Sequence, residues 1–208
     1  MNRLRMRRFV NIVIVAAVAL SWLAMIFFGE GTLAENGFSN LKYFTVLSNL
    51  LEGVASLVWL IRSQKETDAA GKAESLKFIA ASSVGLTFAV VMGFLGPLYG
   101  YASMLKGANL FFHLIIPLIA MGEIIFLSEA SYTLRENNLA IIPPLVYGTV
   151  YLVNIWINGI GEWPDTNDWY GFLNWGYPAG IGIFACICLV TWLLGLMMRK
   201  IAAAHRAE

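Results

Sequence analysis

KYFTVLSNLLEG, residues 42–53, stands at the head of an apolar segment that runs on to Ile61. At about 100° per residue, Thr45, Ser48, Asn49, Glu52 and Ser56 fall within an arc of roughly 100° on a helix. Lipid contact would favour Leu or Val at each position, so the stripe has to face other protein. Ser, Thr and Asn in such a stripe bond neighbouring helices at about 0.6–2 kcal/mol each. Glu52 asks for more: an ionisable group near a helix centre costs about 2.5–3.5 kcal/mol even on the mildest scale, and it marks a pathway or a site. The segment reads as one helix of a polytopic bundle with a polar interior, and Glu52 is expected to face that interior.

Composition gives the same solvent. The chain has 208 residues, 59% hydrophobic and 13% charged, with mean hydropathy +0.69, against about 25% charged in an average soluble domain. The net charge of +1 offers no basic surface for nucleic acid. A spanning helix needs about 20 predominantly apolar residues, and six windows qualify: Phe9–Phe28, Tyr43–Ile61, Leu76–Leu98, Leu110–Leu127, Leu139–Ile157 and Tyr177–Met198. The first follows MNRLRMRR, like a signal peptide, but its apolar stretch exceeds the roughly 7–15 residues of such peptides and reads as a retained helix. Connections are short and no repeat stands out, so residues 1–208 are expected to form one all-α domain, a bundle of six transmembrane helices. Cys186 and Cys188 sit two apart in an apolar run and point to different sides of a helix, which reads as packing by reduced thiols.

Charge placement sets the expected orientation by the positive-inside rule. With the N-terminus inside, Arg3, Arg5, Arg7, Arg8, Arg62, Lys65, Lys72, Lys77, Arg135, Arg199, Lys200 and Arg206 are cytoplasmic and only Lys42 and Lys106 are external. The outer loops then carry Glu30, Glu35, Glu162, Asp165 and Asp168, and the last holds WPDTNDWYGFLNW, whose Trp163, Trp169 and Trp175 suit a membrane interface. Both termini are expected in the cytoplasm and the protein in the plasma (inner) membrane.

Polar residues recur on two other helices. LFFHLIIPLIAMGEIIF places His113 near the outer end of the fourth helix and Glu123 deeper. Thr45 and His113 each lie about one turn from the outer end of a helix running inward, so they are expected at equal depth. Tyr147, Tyr151, Asn154 and Asn158 share a face of the fifth helix whose polar end is the outer one. Together these predict a pocket in the outer half of the bundle. Pro117 is expected to kink the fourth helix, and Pro143 and Pro144 to kink the fifth or break its first turn.

A histidine beside a threonine hydroxyl can take its proton as the oxygen attacks an acyl carbon. On that reading Thr45 and His113 are the catalytic candidates, Asn49, Tyr151 or Asn154 supplies donors to an oxyanion, Glu52 orients the histidine or anchors the polar interior, and Asn158 and Glu123 are further binding or supporting candidates. The second histidine, His205, lies in the C-terminal tail and no clustered Cys/His spacing appears, so no metal site is expected. Neither GxSxG, GxGxxG nor a P-loop occurs, and no cofactor is expected.

LKYFTVLSNLL (41–51), NLFFHLIIPLIAMGE (109–123) and the outer loop ending WYGFLN (169–174) resemble the androgen-induced membrane protein family, in particular its bacterial branch, over most of the chain. Bacterial relatives tend to read like WYPYPF where this chain has WYGFLN. Eukaryotic members are multi-pass intramembrane threonine hydrolases that cleave fatty acid esters of hydroxy fatty acids. The resemblance implies a membrane lipid or lipophilic ester as substrate, with Thr45 and His113 at the catalytic positions. The rival readings are a proton- or solute-conducting transporter with Glu52, His113 and Glu123 along its path, and a lipid-binding membrane protein without turnover.

Overall fold

The computed structural model describes residues 2–28, 37–63, 68–162 and 165–207. Glu30, Glu35, Lys65 and Trp163, used above in reading charge and interface, lie outside the described residues. Among the described residues, six helices are long and apolar enough to cross a membrane: α1 (Arg3–Phe28), α2 (Phe44–Arg62), α3 (Gly71–Tyr99), α4 (Ala108–Leu127), α5 (Leu134–Asn158) and α6 (Tyr177–Ala207). No strand occurs among the described residues, and the chain is a multi-pass, all-helical membrane protein.

The expected spans are all present, but several helices are longer than their apolar windows. Arg, Lys, Glu and Ala are good helix formers, so α1 starts at Arg3 rather than Phe9, α3 takes in Lys72 and Glu74, and α6 runs on to Ala207. This corrects the reading of Arg7 as a charge ahead of the first span and of Lys77 as a charge at the cytoplasmic edge of the third. Arg7 is 5% exposed and Lys77 fully buried, each inside a helix and facing protein.

On α1 the buried residues are Arg7, Asn11, Ile14, Val18, Ser21 and Met25, a single seam at alternating steps of four and three. The other faces carry Phe9, Leu20 and Phe27, all exposed, as a lipid-facing surface requires. α2 packs along α1 and α3, α3 along α4 and α6, and α5 mainly against α6. Arg3 Nη2 donates to the Phe126 carbonyl at 2.7 Å, and the Phe126 and His205 rings meet edge-on at 5.4 Å. The start of α1 and the ends of α4 and α6 thus gather at one end of the bundle, the terminal end. The 3-10 turn Gly37–Lys42 and the 159–176 connection form the opposite, loop end.

Prolines shape three of the helices. α5 begins with Leu134–Leu139, capped by Thr133 and Glu136 in a reciprocal capping box, and resumes at Ile142–Asn158 with Pro143 and Pro144 at its start, as the paired prolines predict. In α3 and α4 the effect is a π turn. Val91–Leu95 and Phe111–Ile115 are π-helical, and in each the next amide reaches back five residues: Gly96 N–H to Val91 O, and Ile116 N–H to Phe111 O. The following residue is Pro97 or Pro117, which has no N–H to give. The second carbonyl of each turn is therefore stranded inside a membrane helix. At Met92 O the acceptor is met by the Tyr101 hydroxyl at 2.8 Å, whose ring folds over Gly96 where a Cβ would lie only 2.2 Å away. At Phe112 O it is met by Asn49 Nδ2 from α2 at 3.1 Å. A kink in α4 is thus converted into a fastening between α2 and α4.

Asn49→Ala should lower stability in detergent by about 1–3 kcal/mol, the cost of leaving a buried acceptor bare. Pro117→Ala in that background should recover part of the loss by returning a backbone donor. Thermal unfolding of the two variants beside wild type checks this; equal loss with or without Pro117 would contradict it.

Candidate functional site

Thr45 lies in the first turn of α2, half-buried, and His113 lies in the π turn of α4, 8% exposed. Asn49, one turn below Thr45, donates both to the Thr45 carbonyl at 2.8 Å and to the Phe112 carbonyl at 3.1 Å. The structure therefore brings α2 and α4 together at the expected level. His113 Nδ1 lies 2.6 Å from the Met104 carbonyl. A carbonyl only accepts, so Nδ1 carries the proton and the neutral ring keeps its Nε2 lone pair. The hydroxyl of Thr45 and the His113 ring do not share a hydrogen bond in this structure; what joins them is the Asn49 bridge between their helices.

The supporting residues are placed differently from the outer pocket expected for them. Both amide hydrogens of Asn49 are spent on carbonyls, so it offers no donor to an oxyanion; its Oδ1 is buried without a hydrogen-bond partner. Tyr151 donates to Asp168 Oδ1 and accepts from Tyr170 N–H at 3.3 Å. Asn154 Nδ2 bonds Asn167 Oδ1 at 3.2 Å, and Asn158, exposed at the helix end, bonds Asn154 Oδ1 at 2.9 Å. The polar face of α5 is a clamp on the loop that follows it.

Asp168 is the centre of that clamp. It is 5% exposed and takes the Tyr151 hydroxyl together with the Phe172 and Leu173 N–H groups, both at 2.9 Å. Rings fill the space around it: Tyr151 lies edge-on to Trp169 at 4.7 Å, and Tyr170 stacks on Phe172 at 5.0 Å. The Tyr170 hydroxyl accepts the Phe44 N–H at 2.9 Å, capping α2 beside Thr45. Burial pushes the Tyr170 phenol up to about 12, so it stays neutral at any physiological pH. Tyr147 donates to the Lys42 carbonyl at 2.6 Å and accepts Trp169 Nε1 at 3.0 Å. Asp168, read from sequence only as one outer-loop acid among several, was the missed residue; its place directly before the Trp169–Tyr170 pair in WPDTNDWYGFLNW is its one signal.

At the terminal end the structure builds a second polar constellation that the sequence reading only half contained. Arg7 grips Glu74 with both terminal nitrogens, at 2.6 and 2.7 Å, and gives Nε to Glu123 Oε1. Glu74 also accepts from Trp59 Nε1 at 2.7 Å, the Tyr132 hydroxyl at 3.1 Å and the Ser128 hydroxyl at 3.3 Å. Lys77 donates to Glu52 Oε1 and, at 2.9 Å, to Ser56 Oγ. Its Nζ lies 3.4 Å from Glu123 Oε2, an ion pair without hydrogen-bond geometry. The Arg7 guanidinium sits 4.3 Å over the Trp59 ring. Tyr132, in the α4–α5 connection, is held well above its usual value by burial and by the Glu74 carboxylate. Glu52 and Glu123 thus share Lys77 here, and neither bonds His113.

Two cavities stand out. One of about 220 Å³ at the terminal end is lined by Arg7, Trp59, Glu74 and Glu129 among others. The other, about 360 Å³, is an apolar groove between α5 and α6 along Pro144, Gly148, Ile181, Phe184 and Cys188; the Phe184 ring lies so close to Gly148 that a Cβ there would come within 2.5 Å. Thr45 and His113 line neither cavity. No grouping of three or more metal-ligating side chains occurs among the described residues. No family model, no curated protein and no solved structure matches this chain.

Two outcomes test these placements. Lys77→Met strips Glu52 and Glu123 of their shared cation in a dry interior and should cost about 3–5 kcal/mol in unfolding experiments. Asp168→Ala should cost about 1.5–3 kcal/mol and raise amide exchange selectively across residues 165–176, leaving the amides of α3 protected.

Proposed function

We propose that the chain is an integral membrane hydrolase that cleaves a lipophilic, fatty-acyl ester, with Thr45 as nucleophile and His113 as general base. The observation that carries this reading is the His113 Nδ1 bond to the Met104 carbonyl, which leaves Nε2 as the basic nitrogen on a helix tied to the turn below Thr45. The likeness of LKYFTVLSNLL and NLFFHLIIPLIAMGE to intramembrane threonine hydrolases supports the same two residues.

In this scheme His113 Nε2 takes the Thr45 hydroxyl proton as Oγ1 bonds to the acyl carbon. The proton then passes to the departing alkoxide, which leaves as an alcohol. Water, deprotonated by the same nitrogen, attacks the acyl-threonine carbonyl, and the proton passes back to Thr45 Oγ1 as that bond breaks and the fatty acid leaves. Thr45 stands at the N-terminus of the 19-residue α2 (Phe44–Arg62), whose positive end favours the oxyanion formed beside it. Asn49, Tyr151 and Asn154 are assigned to holding helices and loop together rather than to the oxyanion.

The orientation that accompanies this reading puts both termini in the cytoplasm of a plasma (inner) membrane protein. It rests on the Lys and Arg excess at the terminal end, which survives when the internal Arg7 and Lys77 are set aside. Thr45 then acts in the outer half of the bilayer.

A fluorophosphonate probe should label the purified protein, and mass spectrometry should find the adduct on Thr45, absent from Thr45→Ala and His113→Ala. A folded wild-type sample that takes no label would overturn the assignment.

A further inference from the structure

The constellation at the terminal end is unbalanced. Arg7 from α1 and Lys77 from α3 face three carboxylates, Glu52 from α2, Glu74 from α3 and Glu123 from α4. If all five are ionised, one negative charge is left over in a protein interior surrounded by lipid. Uncompensated charge is not tolerated there: a buried ion is paired, or it is neutralised by taking up a counter-charge. The other groups bonded to the cluster are neutral: Ser56 and Trp59 from α2, Ser128 at the end of α4, and Tyr132; Glu129, exposed on the cavity beside Arg7 and Glu74, adds a further carboxylate at the water-facing rim and no cation. Among the described residues α6 contributes no bonded charge to it.

The donors show where the excess resides. Glu74 has both oxygens filled, by Arg7, Trp59, Tyr132 and Ser128. Glu123 lies against two cations, and although its Oε2 also lacks a hydrogen bond, Lys77 Nζ stands 3.4 Å from it. Glu52 is fully buried, receives Lys77 and Ser56 on Oε1 alone, and its Oε2 has no hydrogen-bond partner. We propose that Glu52 Oε2 is the binding site of one exchangeable monovalent cation, a proton or a sodium ion, that completes the charge balance of the four-helix constellation. The cavity of about 220 Å³ bordered by Arg7 and Glu74 brings water to the other side of the same network, so exchange takes place from the terminal end. This site is separate from Thr45 and His113 and does not depend on the hydrolase reading.

The test is thermal unfolding of purified full-length protein in detergent, scanned over pH in choline buffer and then over sodium concentration at fixed pH. Wild type is compared with Glu52→Gln, a neutral side chain of the same shape that supplies the balance permanently. A shift of the wild-type midpoint with pH in choline that is lost in Glu52→Gln assigns a proton; a shift with sodium at fixed pH that is lost in the variant assigns sodium. A dependence that Glu52→Gln retains unchanged, or no dependence in wild type, overturns the proposal. Should the variant fail to fold, infrared spectra of wild type carrying ¹³C-labelled glutamate decide. A protonated-carboxyl band at neutral pH, or a carboxylate band that shifts with sodium, supports the site, and the absence of both refutes it.

Discussion

Arg7 reaching across to Glu74 and Glu123, with Lys77 set between Glu52 and Glu123, is the interaction on which the arrangement of this bundle turns. Lipid removes the ordinary hydrophobic drive between helices, because hydrocarbon tails are as apolar as the side chains they would replace. What remains is close packing and polar contacts, and the latter are demanding: a charge placed in the interior has to find its partner. Five charged side chains on α1, α2, α3 and α4 can meet in this way only in one mutual register. A helix that slid by a turn would bare a charge, which makes the constellation a specification of the fold as much as a source of stability.

The loop end is held by different means. There the 159–176 connection folds back on α5, with Asp168 collecting the Tyr151 hydroxyl and two backbone amides. Tyr170 carries the contact onward to the first amide of α2. Between the two ends, π turns before Pro97 and Pro117 strand one carbonyl each, and Asn49 uses one of them to fasten α2 to α4. Thr45 and His113 therefore stand between a tight ionic joint and an aromatic clamp, on helices that already touch.

Much of the fold was legible because lipid leaves so few options. Six apolar windows gave six helices, and the paired prolines at 143 and 144 marked the break in α5. Helix ends were less legible: hydropathy discards Arg7 and Glu74 as loop residues and leaves Lys77 at the edge of its span, although such residues favour helix and are buried once a partner exists on a neighbouring segment. Their partners are far away in sequence, so no local pattern announces the pairs; Glu74 and Lys77, three apart and hence on one face of α3, came nearest to a signal. The polar face of α5 was visible, but its target was not, because Tyr151 and Asn154 serve a loop whose conformation depends on Asp168. That α2 and α4 carry polar residues able to meet was readable from helix periodicity and orientation, whereas the π turn that exposes Phe112 O to Asn49 was not, since a proline predicts a kink without saying how its lost bond is replaced.

If the ionic joint organises the bundle, its members must be energetically coupled and not merely adjacent. A double-mutant cycle on Arg7→Met and Glu123→Gln, read by unfolding in detergent, measures that directly. The account predicts a coupling energy on the order of 2 kcal/mol, with the second substitution costing far less once the first is made. Additive losses from the two substitutions would contradict it.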